Sequence, residues 1–302
     1  MAARVKPGRA RTALLIALAG FCSLSVGDAV VKSMAGEWPA PAVSALRYSF
    51  GLVALTAIVA ARRGRSGFAM PRPALHLGRG AAVALATICF FAGVFAMPLA
   101  DATAIQFTSP ILTALLAPWV LGERTGKATW AATLLAFAGV LVVLRPNLAE
   151  LGAAALLPVG AAFGMSWLMM LNRKVAGDAP VLVMQWLVAL FAVPLLVLAA
   201  AAYALLVEPI SWPSDEVALK CLAVAGFATL GHALIFAAVE RADASVVAPM
   251  TYVQLLVAAG LGRIWFDDPT DLATVAGAAL IIGGGLLLWR AQRLRDLGEA
   301  PS

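Results

Sequence analysis

Long apolar segments follow one another along almost the whole chain, and they constrain its fold more than any other feature. Clusters of charged residues, prolines and glycines divide the 302 residues into ten such segments. A helix needs about 20 apolar residues to cross the hydrocarbon core of a membrane. The segments are 12–35, 40–61, 79–97, 101–121, 127–144, 151–172, 180–207, 216–239, 243–265 and 271–291. We therefore predict an all-α integral membrane protein with ten transmembrane helices.

The composition supports this interpretation, because the chain is too poor in charge for a water-facing surface. Hydrophobic residues make up 62% of the sequence and charged residues 13%, whereas about a quarter of a soluble domain is charged. A disordered chain, a nucleic-acid-binding domain and a disulfide-stapled secreted protein are excluded. Cys22, Cys89 and Cys221 lie inside apolar segments, as small core residues do. The lipid bilayer is the expected partner, and no nucleic acid, metal or cofactor is expected.

The lysines and arginines predict the orientation of the chain. With the N-terminus in the cytoplasm, 17 of the 22 lie in cytoplasmic tails and loops, which is the bias that membrane proteins show. The first apolar segment is too long for the apolar region of a signal peptide, so it is interpreted as a retained span. An even number of spans then leaves both termini in the cytoplasm.

An internal repeat relates the two halves of the chain. Ala100-Asp101-Ala102-Thr103 matches Ala242-Asp243-Ala244-Ser245, and Ala35-Gly36-Glu37 matches Ala176-Gly177-Asp178. The two offsets, 142 and 141 residues, are nearly equal. A duplicated five-span unit explains this near-constant offset.

The repeat predicts two five-helix halves, residues 1–147 and 148–302, of opposite orientation. The orientation inverts because each half contains an odd number of spans. Carriers built from inverted repeats open a central site first to one side and then to the other. The alternative is a duplicated scaffold that moves nothing.

Several motifs resemble those of a known family. Residues 100–110 read Ala-Asp-Ala-Thr-Ala-Ile-Gln-Phe-Thr-Ser-Pro, Leu121-Gly122-Glu123 closes the fourth segment, and the fifth ends in Leu144-Arg145-Pro146. The chain is similar to the EamA-type branch of the drug/metabolite transporter superfamily. This resemblance implies a carrier of small metabolites, often an exporter of amino acids and related compounds, with a central cavity between its halves.

The direction and drive of transport are left open by the sequence. The first span, with Gly27-Asp28-Ala29-Val30-Val31-Lys32, also resembles uptake carriers for S-adenosylmethionine or riboflavin. No nucleotide-binding motif is present, so a proton, a counter-substrate or the substrate gradient is the expected drive. We expect a monomer or homodimer in the bacterial inner membrane.

Two other classes of function are weighed against a carrier. An intramembrane enzyme is not favoured, because His76 and His232 are far apart in sequence and no HExxH or GxSxG motif is present. A passive channel is the third class.

Two ionisable residues near the outer ends of the first two segments are candidates for the substrate site. Asp28 and Arg47 each lie seven residues inside their segment, about 10 Å below the outer surface at 1.5 Å per residue. Such groups are costly in a membrane and often functional. Contact with a charged substrate group or a coupling proton is one hypothesis. A buried Asp28–Arg47 ion pair, with Lys32 reaching outward one turn above Asp28, is the other.

Further candidates lie deeper in the predicted spans. His232 is the side chain best suited to titrate near neutral pH, although a neutral histidine bonded in a helix interface is the alternative. Polar or aromatic residues at similar depth, with ordinary helix packing as their alternative role, are Gln106, Thr108, Ser109, Trp167, Tyr252 and Gln254. Trp186 is expected to pack between helices.

Proline, glycine and acidic residues complete the prediction. Pro110 and Pro249 each remove a backbone donor and should loosen their helices near the middle of the membrane. Gly160 and the Gly164 four residues later should permit a close helix contact. Glu123 and Asp268 close equivalent spans, and a solvated charge is the expected role, with anchoring or gating as the alternative.

Overall fold

Helices make up all the regular structure of the described residues. The computed structural model describes residues 7–122, 127–239, 241, 248–269 and 271–296. Its α-helices are α1 (Pro7–Lys32), α2 (Ala40–Arg63), α3 (Pro73–Ala96), α4 (Leu99–Gln106), α5 (Ser109–Leu121), α6 (Lys127–Leu151), α7 (Leu157–Lys174), α8 (Val181–Leu206), α9 (Asp215–Val239), α10 (Val253–Phe266) and α11 (Leu272–Asp296). Three 3₁₀ turns accompany them, at Gly64–Phe68, Gly152–Leu156 and Ala248–Tyr252.

The helices have the length and composition of membrane spans. Within the described residues, seven helical segments are long and apolar enough to cross a membrane. Three shorter apolar helices, Trp130–Leu144, Met250–Phe266 and Leu272–Leu287, occupy the fifth, ninth and tenth predicted segments. The prediction of an all-helical, multi-pass membrane protein is confirmed.

The fourth predicted span is broken in the middle, as its proline suggested. The helix α4 ends at Gln106 and α5 begins at Ser109, with Pro110 at the second position of α5. Proline suits the first turn of a helix because its missing N–H would have no helical partner there. In the ninth span, Pro249 lies in the 3₁₀ turn that precedes α10.

Four extensive helix pairs hold the bundle together: α1 with α9, α2 with α8, α3 with α7, and α6 with α11. Glycines permit two close approaches in the last pair. A Cβ atom on Gly139 would lie 2.6 Å from the carbonyl oxygen of Gly277, and one on Gly284 would lie 2.8 Å from that of Ala132. The two helices therefore cross at backbone contact in two places.

The same kind of contact joins the pairs α1–α9 and α3–α7. A Cβ atom on Gly20 would lie 2.9 Å from the Gly231 carbonyl oxygen, and one on Gly164 would lie 2.8 Å from that of Ala82. Gly160 faces Cys89 in the same α3–α7 interface. The predicted use of Gly160 and Gly164 in close helix packing is confirmed.

The largest buried apolar cluster is formed by residues of α1, α2, α3, α4, α6, α7, α9, α10 and α11. Leu99 and Ile105 of the short helix α4 are fully buried in it. Since α4 ends inside this cluster, the helix break at Phe107 and Thr108 lies beside the core of the bundle.

Candidate functional site

Arg47 stands out because its charge lies in α2 without a carboxylate bound to it. Among the described residues it makes no hydrogen bond or ion pair. Its guanidinium carbon lies 4.7 Å from the centre of the Tyr48 ring and 5.5 Å from that of the Phe91 ring. The side chain is half-buried, and its nitrogens remain accessible to a water-sized molecule. A guanidinium held between rings with free donors is suited to bind an anionic group.

Asp28 lies on α1 within electrostatic range of Arg47. The predicted alternative of a buried ion pair is not what the structure shows, since no Asp28–Arg47 contact is among the ion pairs of the described residues. The guanidinium nitrogens of Arg47 are thus more than 4 Å from the carboxylate oxygens of Asp28. The two opposite charges influence each other without forming an ion pair.

Lys32 does not simply reach outward, as the alternative prediction held. Its Nζ donates to both carboxylate oxygens of Asp268, each at 2.6 Å, and to the carbonyl oxygen of Met97 at 3.0 Å. It also lies 5.3 Å from the centre of the Phe266 ring. We call the end of the bundle where these groups meet the Lys32 end.

The expectation that Asp268 is a solvated charge was wrong. Its side chain is 14% exposed, and its Oδ2 accepts a hydrogen bond from the Leu99 backbone N–H at 2.9 Å in addition to the Lys32 bonds. The carboxylate therefore joins α1, the α3–α4 connection and the α10–α11 connection. Glu123, its counterpart in the repeat, lies outside the described residues, as does the 242–245 copy of the Ala-Asp-Ala motif.

His232 is bonded within its own helix and exposed on one side. Its Nδ1 lies 2.7 Å from the Ala228 carbonyl oxygen. A carbonyl only accepts, so Nδ1 carries the hydrogen and leaves Nε2 facing outward. The side chain of His232 is exposed, and its charge is within electrostatic range of Arg47.

Tyr252 and Gln106 flank the helix break in α4–α5. The Tyr252 ring meets the Phe107 ring edge-on at 6.0 Å, and Gln106, half-buried, precedes Phe107 in sequence. The Tyr252 hydroxyl occupies the space that a side chain at Gly285 would need. The break between α4 and α5 thus lies beside the Phe107–Tyr252 pair, which joins the fourth and ninth predicted spans.

Gln254 and the two polar residues after Phe107 make mainly structural bonds. The backbone carbonyl of Gln254 accepts from Ser25 Oγ at 3.1 Å, and its Oε1 lies 3.5 Å from Thr251 Oγ1. The hydroxyl of Thr108 donates to the Ile105 carbonyl oxygen at 2.7 Å. Ser109 accepts through its backbone carbonyl from Thr113.

Trp186 and Trp167 have different surroundings in the structure. Trp186 is buried, and its Nε1 donates to Thr56 Oγ1 at 3.0 Å, so the prediction that it packs between helices is confirmed. Trp167 is 37% exposed, and its ring stacks on Phe163 at 6.3 Å. Among the described residues, the rings that lie over the Arg47 guanidinium are those of Tyr48 and Phe91, and Trp167 is not one of them.

Sequence reasoning missed the rings around Arg47. Tyr48 and Phe91 carry no motif, and only the position of Tyr48 next to Arg47 in sequence could have drawn attention to it. Thr87 donates to the Tyr48 hydroxyl at 3.2 Å and so holds that ring in place. Tyr48 and Phe91 thus lie beside Arg47, and the charges of Asp28 and His232 are within electrostatic range of it.

The opposite end of the bundle, where α2 ends and α3 begins, has its own polar contacts, and we call it the Asp178 end. Arg72 binds Asp178 through Nε and Nη2, the former at 2.7 Å. This hydrogen bond lowers the pKa of the Asp178 carboxyl. Nearby, the buried Arg79 donates to Asn172 Oδ1 at 2.7 Å and to His76 Nδ1 at 2.8 Å.

The long apolar helices of the bundle define a multi-pass membrane protein. Among the described residues no group of histidine, cysteine and acidic side chains is arranged to hold a metal ion. The EamA-like transporter family matches the chain over residues 11–145 and 152–290. The protein belongs to this family of transporters.

Individual relatives span almost the whole chain. A riboflavin transporter of Rhizobium johnstonii is 30% identical over 97% of this chain and 95% of its own length. An S-adenosylmethionine uptake transporter of Rickettsia bellii is 26% identical over 90% and 91%. A pseudopaline exporter of Pseudomonas aeruginosa is 26% identical over 93% and 96%. The relatives are thus transporters of different small metabolites.

A solved crystal structure has the same fold. It aligns with a TM-score of 0.61 and 23% identity over 94% of this chain and 99% of its own. At this identity the likeness concerns the fold alone.

Proposed function

We propose that the protein is a secondary carrier that moves a small metabolite by alternating access, with Asp28 and Arg47 at its substrate site. The observation that carries the proposal is a pair of half-buried opposite charges, within electrostatic range of each other, that have no ion-pair partners among the described residues. Charges at membrane depth are costly unless they are used. A substrate that carries a cationic and an anionic group would pair with Asp28 and Arg47, respectively.

Ten spans in two inverted halves, residues 1–147 and 148–302, are part of the proposal. Two separate family matches support the division. Packing supports it too, because exchanging the halves converts the α1–α9 pair into the α7–α3 pair and returns α2–α8 and α6–α11 to themselves. With the N-terminus in the cytoplasm of a bacterial inner membrane, the Lys32 end faces outward.

Export of amino acids and related metabolites is the first candidate direction, and uptake of S-adenosylmethionine- or riboflavin-like compounds is the second. The names of two relatives favour the second candidate, whereas the pseudopaline exporter favours the first. Rings near Arg47 suit a planar group on the substrate in either case. We further propose that Gln106, Trp167, Tyr252 and Gln254 line the path of the substrate, that the protein works as a monomer or homodimer, and that it is not an enzyme.

Flux into proteoliposomes tests this function. The solutes are riboflavin, S-adenosylmethionine and a panel of amino acids, with and without a pH gradient. We expect saturable flux of at least one solute, and Arg47→Gln should raise its KM about tenfold or more, because a charge-assisted bond is lost. The matched control is Arg263→Gln, an exposed arginine on α10, which should leave KM unchanged.

The outcomes separate the classes of function. No saturable flux of any solute would revive the enzyme and scaffold hypotheses. Flux with the same KM in Arg47→Gln would remove Arg47 from the substrate site.

Proton coupling through Asp28 or His232 is a separate part of the proposal. If either residue carries the coupling proton, Asp28→Asn or His232→Ala should abolish the response of flux to the pH gradient. Normal transport by Asp28→Asn across the pH range, or an unchanged pH optimum in His232→Ala, would remove that residue from the coupling role.

A further inference from the structure

At the Lys32 end, the ammonium group of Lys32 binds groups from two other segments of the chain. It bonds both oxygens of Asp268 and the Met97 carbonyl, while Asp268 also bonds the Leu99 N–H. The ion pair joins residues 236 positions apart, and its side chains are 11% and 14% exposed. We call this arrangement of Lys32, Asp268, Met97 and Leu99 the latch. The latch connects the first half of the chain to the second.

A second carboxylate competes for the same ammonium group. Asp28 lies four residues before Lys32 on α1, so the two side chains share a face of the helix. An acidic residue one turn before a lysine is the favourable order for such a pair, and the flexible lysine stem lets Nζ change partner. In the structure Lys32 is bound to Asp268, and Asp28 is left without an ion pair.

We propose that Lys32 exchanges between Asp268 and Asp28, and that this exchange links the occupancy of the substrate site to closure of the Lys32 end. The inference rests on the proposed function, because it assigns Asp28 to the substrate site. With Lys32 on Asp268 the latch is closed and Asp28 is free to bind a cation. With Lys32 on Asp28 the latch is open and Asp28 is neutralised.

Occupancy sets the balance between these two states. A cationic group of the substrate, bound at Asp28, takes away the alternative partner of Lys32 and so favours the closed latch. When the site is empty, the negative charge of Asp28 attracts Lys32 and favours opening. Arg47 is the other charged group within range of Asp28, and it moderates this attraction. A ligand shifts the balance only by its differential affinity for the two states.

Hydrogen–deuterium exchange of the purified protein in lipid nanodiscs tests the exchange of Lys32 without any solute. The reporter is a peptide containing the Leu99 N–H, which bonds Asp268 in the closed latch. Lys32→Gln should speed exchange of this peptide about tenfold or more, because a buried ion pair is broken. Lys220→Gln is the matched control: it breaks the pairs with Glu37 and Glu216 at the same end and should leave this peptide unchanged.

Asp28→Asn makes the distinctive prediction. Removing the alternative partner should close the latch further and slow exchange of the Leu99 peptide about twofold or more. A latch that is only structural would not respond to Asp28. Equal or faster exchange in Asp28→Asn would overturn the proposal, as would unchanged exchange in Lys32→Gln.

The double variant Lys32→Gln with Asp28→Asn gives an independent test. Without the lysine no ammonium group exchanges between the two carboxylates, so adding Asp28→Asn to Lys32→Gln should have no further effect on the Leu99 peptide. Slower exchange on adding Asp28→Asn to that variant would overturn the proposal. Since no solute is present, these results are independent of whether flux is found in proteoliposomes.

Discussion

The two ends of the bundle are joined by different kinds of polar contact. At the Lys32 end, a mostly buried lysine–aspartate pair bonds backbone groups of a third segment. At the Asp178 end, the ion pair with Arg72 is more open, its arginine side chain being 47% exposed. The buried contacts there are instead made by Arg79 to His76 and Asn172.

This difference suggests that the two ends respond unequally to loss of an ion pair. Removing one partner of a buried pair leaves the other charge uncompensated in a medium of low polarity, which is strongly destabilising. An exposed pair is already well solvated, so its loss costs little. In a carrier whose ends open in turn, opening of the Lys32 end would then depend more on its mostly buried Lys32–Asp268 pair than on the more exposed pairs of Lys220.

The largest expected effect is the loss of the Asp268 carboxylate. Asp268→Ala removes both the carboxylate bound to Lys32 and the acceptor of the Leu99 N–H, and it leaves Asp28 as the remaining partner of the lysine. It should lower the free energy of unfolding by about 3 kcal/mol. The midpoint of thermal unfolding in detergent should fall by on the order of 6 °C. Asp178→Ala at the other end is the matched variant and should change the midpoint little. Equal shifts in both variants would contradict the difference between the ends.

Much of the fold could be predicted from the sequence, whereas the latch could not. Apolar length predicted where helices lie, and Pro110 predicted the break between α4 and α5, because both effects are local. The repeat placed Asp268 and Glu123 at equivalent helix ends, but Asp268 was expected to be solvated. Its partner Lys32 is 236 residues away, and no local pattern specifies which of several nearby charges a lysine binds.

The candidate site was predicted in part for the same reason. Depth in the membrane drew attention to Asp28, Arg47 and His232, and in the structure both Asp28 and His232 are within electrostatic range of Arg47. Sequence depth could not tell whether Asp28 and Arg47 touch, since that depends on the packing of α1 against its neighbours. It also gave no sign of the Phe91 ring, which comes from α3.

The α6–α11 pair contains one close glycine contact from each half of the chain, and the two contacts can be compared by substitution. Gly139→Ala and Gly284→Ala each place a methyl group against a backbone carbonyl in the α6–α11 crossing. Each should destabilise the protein by about 1–3 kcal/mol through overpacking, measured by unfolding in detergent. The two losses should be similar, because each added Cβ atom would meet a backbone carbonyl oxygen of the other helix at 2.6 Å or 2.8 Å.

Gly260→Ala is the control for this pair. A Cβ atom on Gly260 would meet nothing within 4 Å, so the change should stabilise α10 by about 0.5–1 kcal/mol through helix propensity. A large loss in only one of the two crossing variants would argue against equivalent crossings.

The smallest expected effect concerns pH at the Asp178 end. The hydrogen bond from Arg72 lowers the pKa of Asp178, so the folded state holds this proton less readily than the unfolded chain. Stability from the pair is therefore present above the ordinary aspartate pKa of about 3.9 and is lost as the pH falls through the lowered value. The small difference in unfolding midpoint between the unmodified protein and Asp178→Asn should vanish on acidification. A difference that grows in acid would contradict this sign.

In the proposed carrier, one site between the two halves opens alternately to the two sides of the membrane. Trans-stimulation, the acceleration of solute entry by solute already inside, tests this alternation directly. Proteoliposomes are loaded with the solute that shows saturable flux, and entry of the labelled solute is compared with entry into empty vesicles. A carrier that returns faster when loaded should show accelerated entry, and this acceleration should depend on Arg47 but not on Arg263. Entry that does not saturate with solute concentration, and that is the same in loaded and empty vesicles, is the behaviour of a channel and would contradict alternating access.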